Sequence, residues 1–444
     1  MAKLATGTKA GFAIGQIAGQ LFRDVHSLLL LFYLTTVMGI APAVAGAAIF
    51  VPKVFFGALF DLAVGIGSDR IAAHFPRRRW LLVGGLLAPV AMVVVFAVPH
   101  GSQALQVGWV FLTFSLYMAT FSMFSVPYLA QFTEMSSDPA ERTELMAWKH
   151  GLTGVGVLLS SAAAPALVGY LGGDRAAYLS TAALVGLICL GCLFAAWRFA
   201  ARIPDSASTG TPLALKDLPK AFTDRTFMIL CLSAVIMTVA AGISYASFAF
   251  FVRFAMNRAD AFTQMGIMST IMAFAVMAGS PMWVWVAARI GKKNTYVLAA
   301  CGHGLATLAW TPIASLPIWT AYVVAGIMAM CNAGWGLIVL SLLSDAISEA
   351  RERWGENRAG VYSAIWSIIE KAGIALGGTL IVGALLSAGG FDAAAAKQGV
   401  AQSAEAVRGI YLSYSYLPGV AKLVAALLIW RFIEDRREGS RDAG

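Results

Sequence analysis

The sequence has little charge. Asp, Glu, Lys and Arg make up 12% of its 444 residues, against 59% hydrophobic ones. A soluble domain carries about a quarter charged residues, so a water-soluble fold is excluded. Cysteine and histidine are scarce too, with five of each. Cys189, Cys192, Cys231, Cys301 and Cys331 all fall in apolar stretches, and the Cys189-Leu-Gly-Cys192 spacing has no second cysteine pair or histidine cluster near it. Disulfide, metal and redox chemistry are therefore not expected, and the cysteines read as small packing residues. No grouping of His, Asp and Ser marks an enzyme, and no cofactor is expected.

The apolar residues come in blocks of about 20, the length that crosses roughly 30 Å of hydrocarbon. Twelve such blocks are read, at about 11–39, 44–68, 80–99, 107–131, 150–171, 177–198, 227–252, 263–287, 295–312, 317–343, 360–387 and 408–432. The first is too long for a signal peptide and lacks a small-residue cleavage site, so it reads as a retained helix. The expected fold is an all-α membrane protein of twelve transmembrane helices. With an intracellular N-terminus, alternate loops hold nearly all Lys and Arg, and the opposite side holds only Arg175, Arg253, Arg258, Lys397 and Arg408. The positive-inside rule then puts both termini in the cytoplasm and the chain in the cytoplasmic (inner) membrane. The net charge of +9 reflects this asymmetry and lipid headgroups; no nucleic-acid partner is expected.

Pro204, Ser206, Ser208, Gly210, Pro212 and Pro219 give one long polar connection the composition of a linker. It divides the chain into a six-helix bundle at 1–198, a linker at 199–226, a second six-helix bundle at 227–434 and a tail at 435–444. Gly11, Gly15 and Gly19, spaced by four, allow a neighbouring backbone to come close. Two six-helix halves joined by a cytoplasmic linker is the plan of the major facilitator superfamily, which carries its substrate between the halves near the midplane.

One stretch stands out for its chemistry. Phe60-Asp61-Leu62-Ala63-Val64-Gly65-Ile66-Gly67-Ser68-Asp69-Arg70 places a carboxylate two turns inside an apolar segment that ends in Asp69-Arg70 and Arg77-Arg78-Arg79. A charge at that depth costs several kcal/mol, roughly 2.5–3.5 on insertion scales, and persists where a partner or polar pathway holds it. A packing residue bonded to its neighbour is one reading of Asp61; a cation or proton site is the other.

Three further stretches join it: Val126-Pro127-Tyr128-Leu129 through Ser137-Asp138-Pro139-Ala140-Glu141-Arg142, Ser344-Asp345 through Trp354-Gly355-Glu356-Asn357-Arg358, and Glu370-Lys371-Ala372-Gly373. Together, in order and end to end, they resemble the glycoside–pentoside–hexuronide:cation symporters, the family of melibiose permease. The resemblance implies symport of a polar solute, commonly a sugar, with a proton or sodium. It implies a coupling site at Asp61 with the hydroxyl of Ser122. The family's second acidic position, one turn earlier, is Gly57 here. Sodium takes about five or six oxygens, and one carboxylate with one hydroxyl supplies too few alone. A lone carboxylate shielded from water can instead carry a proton near neutral pH, so proton coupling is favoured over sodium.

The first helix departs from the family. It carries Gln16 and Gln20 where acidic or Asn residues are usual, followed on the same face by Arg23 and Ser27, with Asp24 beside Arg23. Arg23 either pairs locally with Asp24 or points into a cavity. Lys149 and Lys371 match basic family positions and favour the second. A cavity with three cations facing mainly Asp61 suits an anionic solute, such as a uronide or acidic glycoside. Ser125 and Trp335 complete the expected substrate set. Lys53 and His303 read as local structural polar groups. Asp69–Arg70, Arg142, and Asp345 with Arg351–Arg358 are expected to form cytoplasmic salt bridges that gate access. The expected partners are a small-molecule substrate, a coupling cation and the bilayer, the protein acting as a monomer. A lysolipid or other amphiphile carrier on the same fold is the alternative.

Overall fold

The computed structural model describes residues 5–70, 74–135, 139–200, 223–354 and 359–433. Among them the chain is helical, with eleven helices long and apolar enough to cross a membrane. In chain order these are α1 (Thr6–Val37), α2 (Pro42–Ser68), α3 (Arg77–Phe96), α4 (Gln103–Gln131), α5 (Gly151–Tyr170), α6 (Arg175–Ala200), α7 (Arg225–Ala255) and α8 (Ala261–Ile290). After the shorter α9 (Lys292–Leu308) come α10 (Ile318–Glu349), α11 (Ile365–Ala388) and α12 (Ala404–Phe432). The ninth block differs from the expectation. Its helix has 17 residues, about 25 Å of rise, because the chain breaks after Leu308 and resumes as the short turn Trp310–Ile313 around Pro312.

Local chemistry explains the helix limits. Ser102 caps α4 by accepting from the Leu105 amide at 3.3 Å, and Asp224 caps α7 by accepting from the Phe227 amide at 3.1 Å. Tyr362 adds a 3.1 Å bond to the same Asp224 carboxylate. Among the described residues six of these helices contain a π-helical turn, including Tyr33–Val37 in α1, Pro52–Phe56 in α2 and Leu159–Ala163 in α5. Such a turn rotates the side chains that follow it.

The chain clusters into two compact units. The first comprises Met1–Gly210 with Ala259–Gly266 and Phe391–Ser403; the second comprises Thr211–Arg258, Ile267–Gly390 and Ala404–Gly444. The two short segments join the first unit through specific contacts. Phe262 packs edge-on against Phe32, ring centroids 5.6 Å apart, and against Tyr178 at 6.2 Å. Lys397 Nζ donates to the Met38 carbonyl at 3.5 Å.

In the first unit α3 packs against α4 and α6, and α1 against α5 and α6. The glycine ladder of α1 is used in part. A Cβ at Gly11 would enter the Phe199 ring, and one at Gly15 would lie 2.9 Å from Ala196 and Tyr128, whereas Gly19 faces open space. The second unit has its core between α7, α9, α10, α11 and α12, around Phe227, Met237, Tyr296 and Tyr362.

Candidate functional site

Asp61 and Ser122 meet in the first unit. Ser122 Oγ donates to Asp61 Oδ1 at 2.6 Å, joining α2 to α4. Ser122 is 2% exposed, so its hydroxyl is aimed at the carboxylate by packing. One turn earlier on α2, a Cβ on Gly57 would touch Met118 Sδ at 3.6 Å. The family's second carboxylate position thus lies against an apolar side chain of α4. Ser125 is half-buried, one turn beyond Ser122.

A second polar group lies on α1, and its hub is Asp24. The Asp24 carboxylate accepts from Gln20 Nε2 at 2.6 Å, from Ser160 Oγ of α5 at 3.1 Å and from Arg23 Nε at 3.4 Å. Arg23 Nη2 also donates to Gln20 Oε1 at 2.7 Å. Gln20, Arg23 and Asp24 are placed together by the i, i+3, i+4 spacing of a helix. Of the two sequence readings of Arg23, the local pair with Asp24 is present. The side chain pairs with Asp24, and it remains 60% exposed, with Nε and one terminal nitrogen engaged. Gln16 is half-buried one turn before Gln20.

Close packing fixes the hub. Gly156 of α5 lies directly on Gln20: a Cβ there would be 2.6 Å from Gln20 Cβ and 3.1 Å from the Ile17 carbonyl oxygen. From α2, Lys53 in the π-helical turn reaches Ser27 Oγ at 2.9 Å, and Ser27 in turn donates to the Arg23 carbonyl at 2.7 Å. Lys53 therefore reaches α1 rather than acting within its own helix. Lys149 sits just before the membrane-spanning stretch of α5, on the helix Pro139–Leu158. Its pKa is lowered, first by burial and then by the like charge of Arg23. The two cations therefore act on the same region. Lys9, 4% exposed, donates to the exposed Glu144 Oε2 at 2.6 Å, a half-buried tie between α1 and that helix.

In the second unit, Trp335 of α10 is half-buried and its Nε1 donates to Asn332 Oδ1 at 3.0 Å. With Trp366, Thr238 and Glu370 it lines a cavity of about 130 Å³ between α7, α10 and α11. Lys371 is exposed next to Glu370. Two indoles beside a carboxylate offer an apolar face and a hydrogen-bond acceptor to a ring that bears hydroxyls.

The expected gating contacts lie mostly outside the described residues, which include neither the side chains of Asp69, Arg70 and Arg142 nor any part of Arg358. The carboxylate of Asp345 pairs with Lys292 at 2.7 and 2.8 Å, across α9 and α10. The expected pairing of Asp345 with Arg351–Arg358 falls on side chains outside the described residues. Lys292 belongs to the basic turn Arg289-Ile-Gly-Lys-Lys293, which α9 brings beside the end of α10.

Asp24, Ser160, Lys53 and Lys9 were not singled out as site residues by the sequence. A signal for Asp24 was present in its spacing from Gln20. Ser160 and Lys53 had none, because their partners lie 136 and 26 residues away.

The fold agrees with the comparisons. Among solved structures, a point mutant of nucleoside transporter NupG superimposes with a TM-score of 0.71 at 10% identity, covering 96% of this chain and all of that one. A bacterial homologue of the human lysosomal transporter Spinster, inward-facing and unoccupied, gives 0.67 at 13% identity, covering 98% of each. Among curated proteins, the glucuronide carrier protein homolog of Escherichia coli is 25% identical over 96% of this chain and 92% of its own length. The isoprimeverose transporter of Lactiplantibacillus pentosus is 24% identical over 96% and 88%. The putative sulfoquinovose importer of Salmonella typhimurium is 25% identical over 81% and 75%. The profile of the family described as MFS/sugar transport protein matches residues 11–435. This chain is therefore a multi-pass membrane transporter, not an enzyme, and belongs to the glycoside–pentoside–hexuronide:cation symporter family of the major facilitator superfamily.

Proposed function

We propose that the protein is a secondary active symporter that moves a small anionic sugar-type solute, such as a glycoside bearing an acidic group or a uronide, together with a proton. Asp61 and Ser122 form the coupling site, while Arg23 and Lys149 read the solute's charge, with Lys371 as the corresponding cation of the second unit. The observation that carries this reading is the bond from Ser122 to Asp61 at membrane depth. One carboxyl and one hydroxyl fall short of the about five or six oxygens of a sodium shell, whereas a carboxyl needs only its own oxygen to carry a proton. Arg23 supports the anionic solute, because Asp24 and Gln20 orient its guanidinium without covering it.

The relatives' names support the same class: a glucuronide and sulfoquinovose are both sugars with an acidic group. Gln20 and the cavity at Trp335 would serve the neutral part of the solute, with Gln16 and Ser125 nearby on their helices. Our reading takes α9 as a twelfth crossing, both termini in the cytoplasm, the inner membrane as the location and a monomer as the working form.

The test is thermal stabilisation of the purified protein by p-nitrophenyl β-glucuronide and by its neutral glucoside counterpart. A ligand at a hundred times its dissociation constant adds about 2.7 kcal/mol. The glucuronide is expected to stabilise the wild type and to lose most of that effect in Arg23→Ala. An equal response to both compounds would contradict the charge reading.

A further inference from the structure

The second unit holds two buried bases that the site above does not use. Lys422 of α12 is 1% exposed and His303 of α9 is 5% exposed. Lys422 Nζ lies 3.0 Å from His303 Nε2 and 2.9 Å from Thr307 Oγ1. The Thr307 hydroxyl proton is committed to the His303 carbonyl at 2.7 Å, so Thr307 offers lysine only a lone pair. The other ring nitrogen, His303 Nδ1, is buried without a partner. By register Lys422 stands ten residues before the end of α12 at Phe432, about 15 Å inside the helix.

A lysine at that depth ordinarily needs a counter-charge. The charged side chains on the packing helices sit toward helix ends: Lys292 and Lys293 on α9, Asp345 and Glu349 on α10, Arg225 and Arg253 on α7, and Glu405, Arg408 and Arg431 on α12, with Glu405 seventeen residues from Lys422. Lys292 and Asp345 already pair. The remaining titratable groups on the helices packed here are Tyr296 and Cys301 of α9, Tyr322 and Cys331 of α10, Cys231 and Tyr245 of α7, and Tyr411, Tyr414 and Tyr416 of α12. None of them is a carboxylate. The two helices also cross closely beside the pair. A Cβ on Gly304 would lie 2.9 Å from Leu423 and 3.0 Å from the Gly419 carbonyl oxygen.

We propose that Lys422, His303 and Thr307 form a second proton-binding site, taking one proton and separate from Asp61. In the neutral state the lysine amine accepts from His303 Nε2–H, and Nδ1 is a bare lone pair. An incoming proton binds at Nδ1, the Nε2 proton moves to the amine, and the products are a lysine ammonium donating to Nε2 and an imidazole protonated at Nδ1. One proton is taken up, no other bond changes, and the imidazole ends neutral because an amine is the stronger base by about four pH units. The unpartnered Nδ1 is the port that this relay requires. Among the described residues the gained charge has no counter-ion beside it, so acid weakens the crossing of α9 and α12.

The test is nitrogen-15 histidine spectroscopy of the whole protein in detergent, with His303→Gln identifying the resonance. On acidification, within the range where the protein stays folded, His303 should shift from the Nε2-protonated to the Nδ1-protonated form without becoming imidazolium. Lys422→Met should abolish that switch. It should also remove a pH-dependent component of thermal stability, up to tenfold in the unfolding constant per pH unit, with the wild type losing stability as pH falls. One unchanging tautomer in the wild type, or a switch that survives in Lys422→Met, would overturn the proposal. The wild-type titration decides the matter alone should the variant fold poorly.

Discussion

Ser122 donates a 2.6 Å hydrogen bond to Asp61, from α4 to α2, at a point where packing leaves the serine 2% exposed. The bond ties the Asp61 carboxyl of α2 to α4. Hydrogen bonds to charged groups contribute about 1.5–3 kcal/mol. Ser122→Ala removes a donor to the ionised carboxylate and should therefore strengthen apparent proton affinity by roughly 10- to 100-fold while leaving maximal uptake largely intact. Uptake measured against cation concentration checks this.

Asp24 gathers Gln20, Arg23 and Ser160 around one carboxylate. Asp24→Asn keeps the shape but removes the charge that holds Arg23. The variant should lose about 1–3 kcal/mol of stability and bind an anionic solute more weakly, since Arg23 is no longer oriented. Arg23→Ala should lose affinity for the anion with a smaller effect on stability. Thermal unfolding and ligand binding measured on the same samples separate the two effects.

Gly156 is the contact that lets α5 lie against Gln20. Gly156→Ala inserts a methyl where there is no room, an overpacking that typically costs about 1–3 kcal/mol. The unfolding midpoint should drop, and binding should weaken because Gln20 is displaced. An unchanged midpoint would mean that the helices can separate at this point.

Lys292 and Asp345 form the described ion pair between α9 and α10. Exchanging the two charges in Lys292→Asp with Asp345→Lys should restore transport lost in either single variant. Failure of the double exchange to restore it would assign the pair a role other than a tie. Uptake rates of the four proteins check the prediction.

The helices were legible because about 20 apolar residues in a row leave the backbone few alternatives in hydrocarbon. The length of α9 was less so, because Pro312 breaks a block whose composition is apolar throughout. Asp61 was visible by its depth and Ser122 through the family resemblance. Arg23 was open to two readings because a side chain can pair with its neighbour and still be exposed, and the pair with Asp24 is present. The Asp345–Lys292 pair was not legible, because helix packing joins residues 53 apart. Lys53, Ser160 and Lys422 meet partners 26, 136 and more than a hundred residues distant, and no local pattern encodes such a meeting.

The most direct test is uptake of a charged glycoside by proteoliposomes carrying wild-type or Asp61→Asn protein, under an imposed pH gradient and then with sodium replaced by potassium. The account predicts that the wild type accumulates solute when the interior is alkaline, whether sodium is present or not. It predicts that Asp61→Asn folds and equilibrates solute but does not concentrate it. Concentrative uptake that persists in Asp61→Asn, or that requires sodium at fixed pH in the wild type, would contradict it.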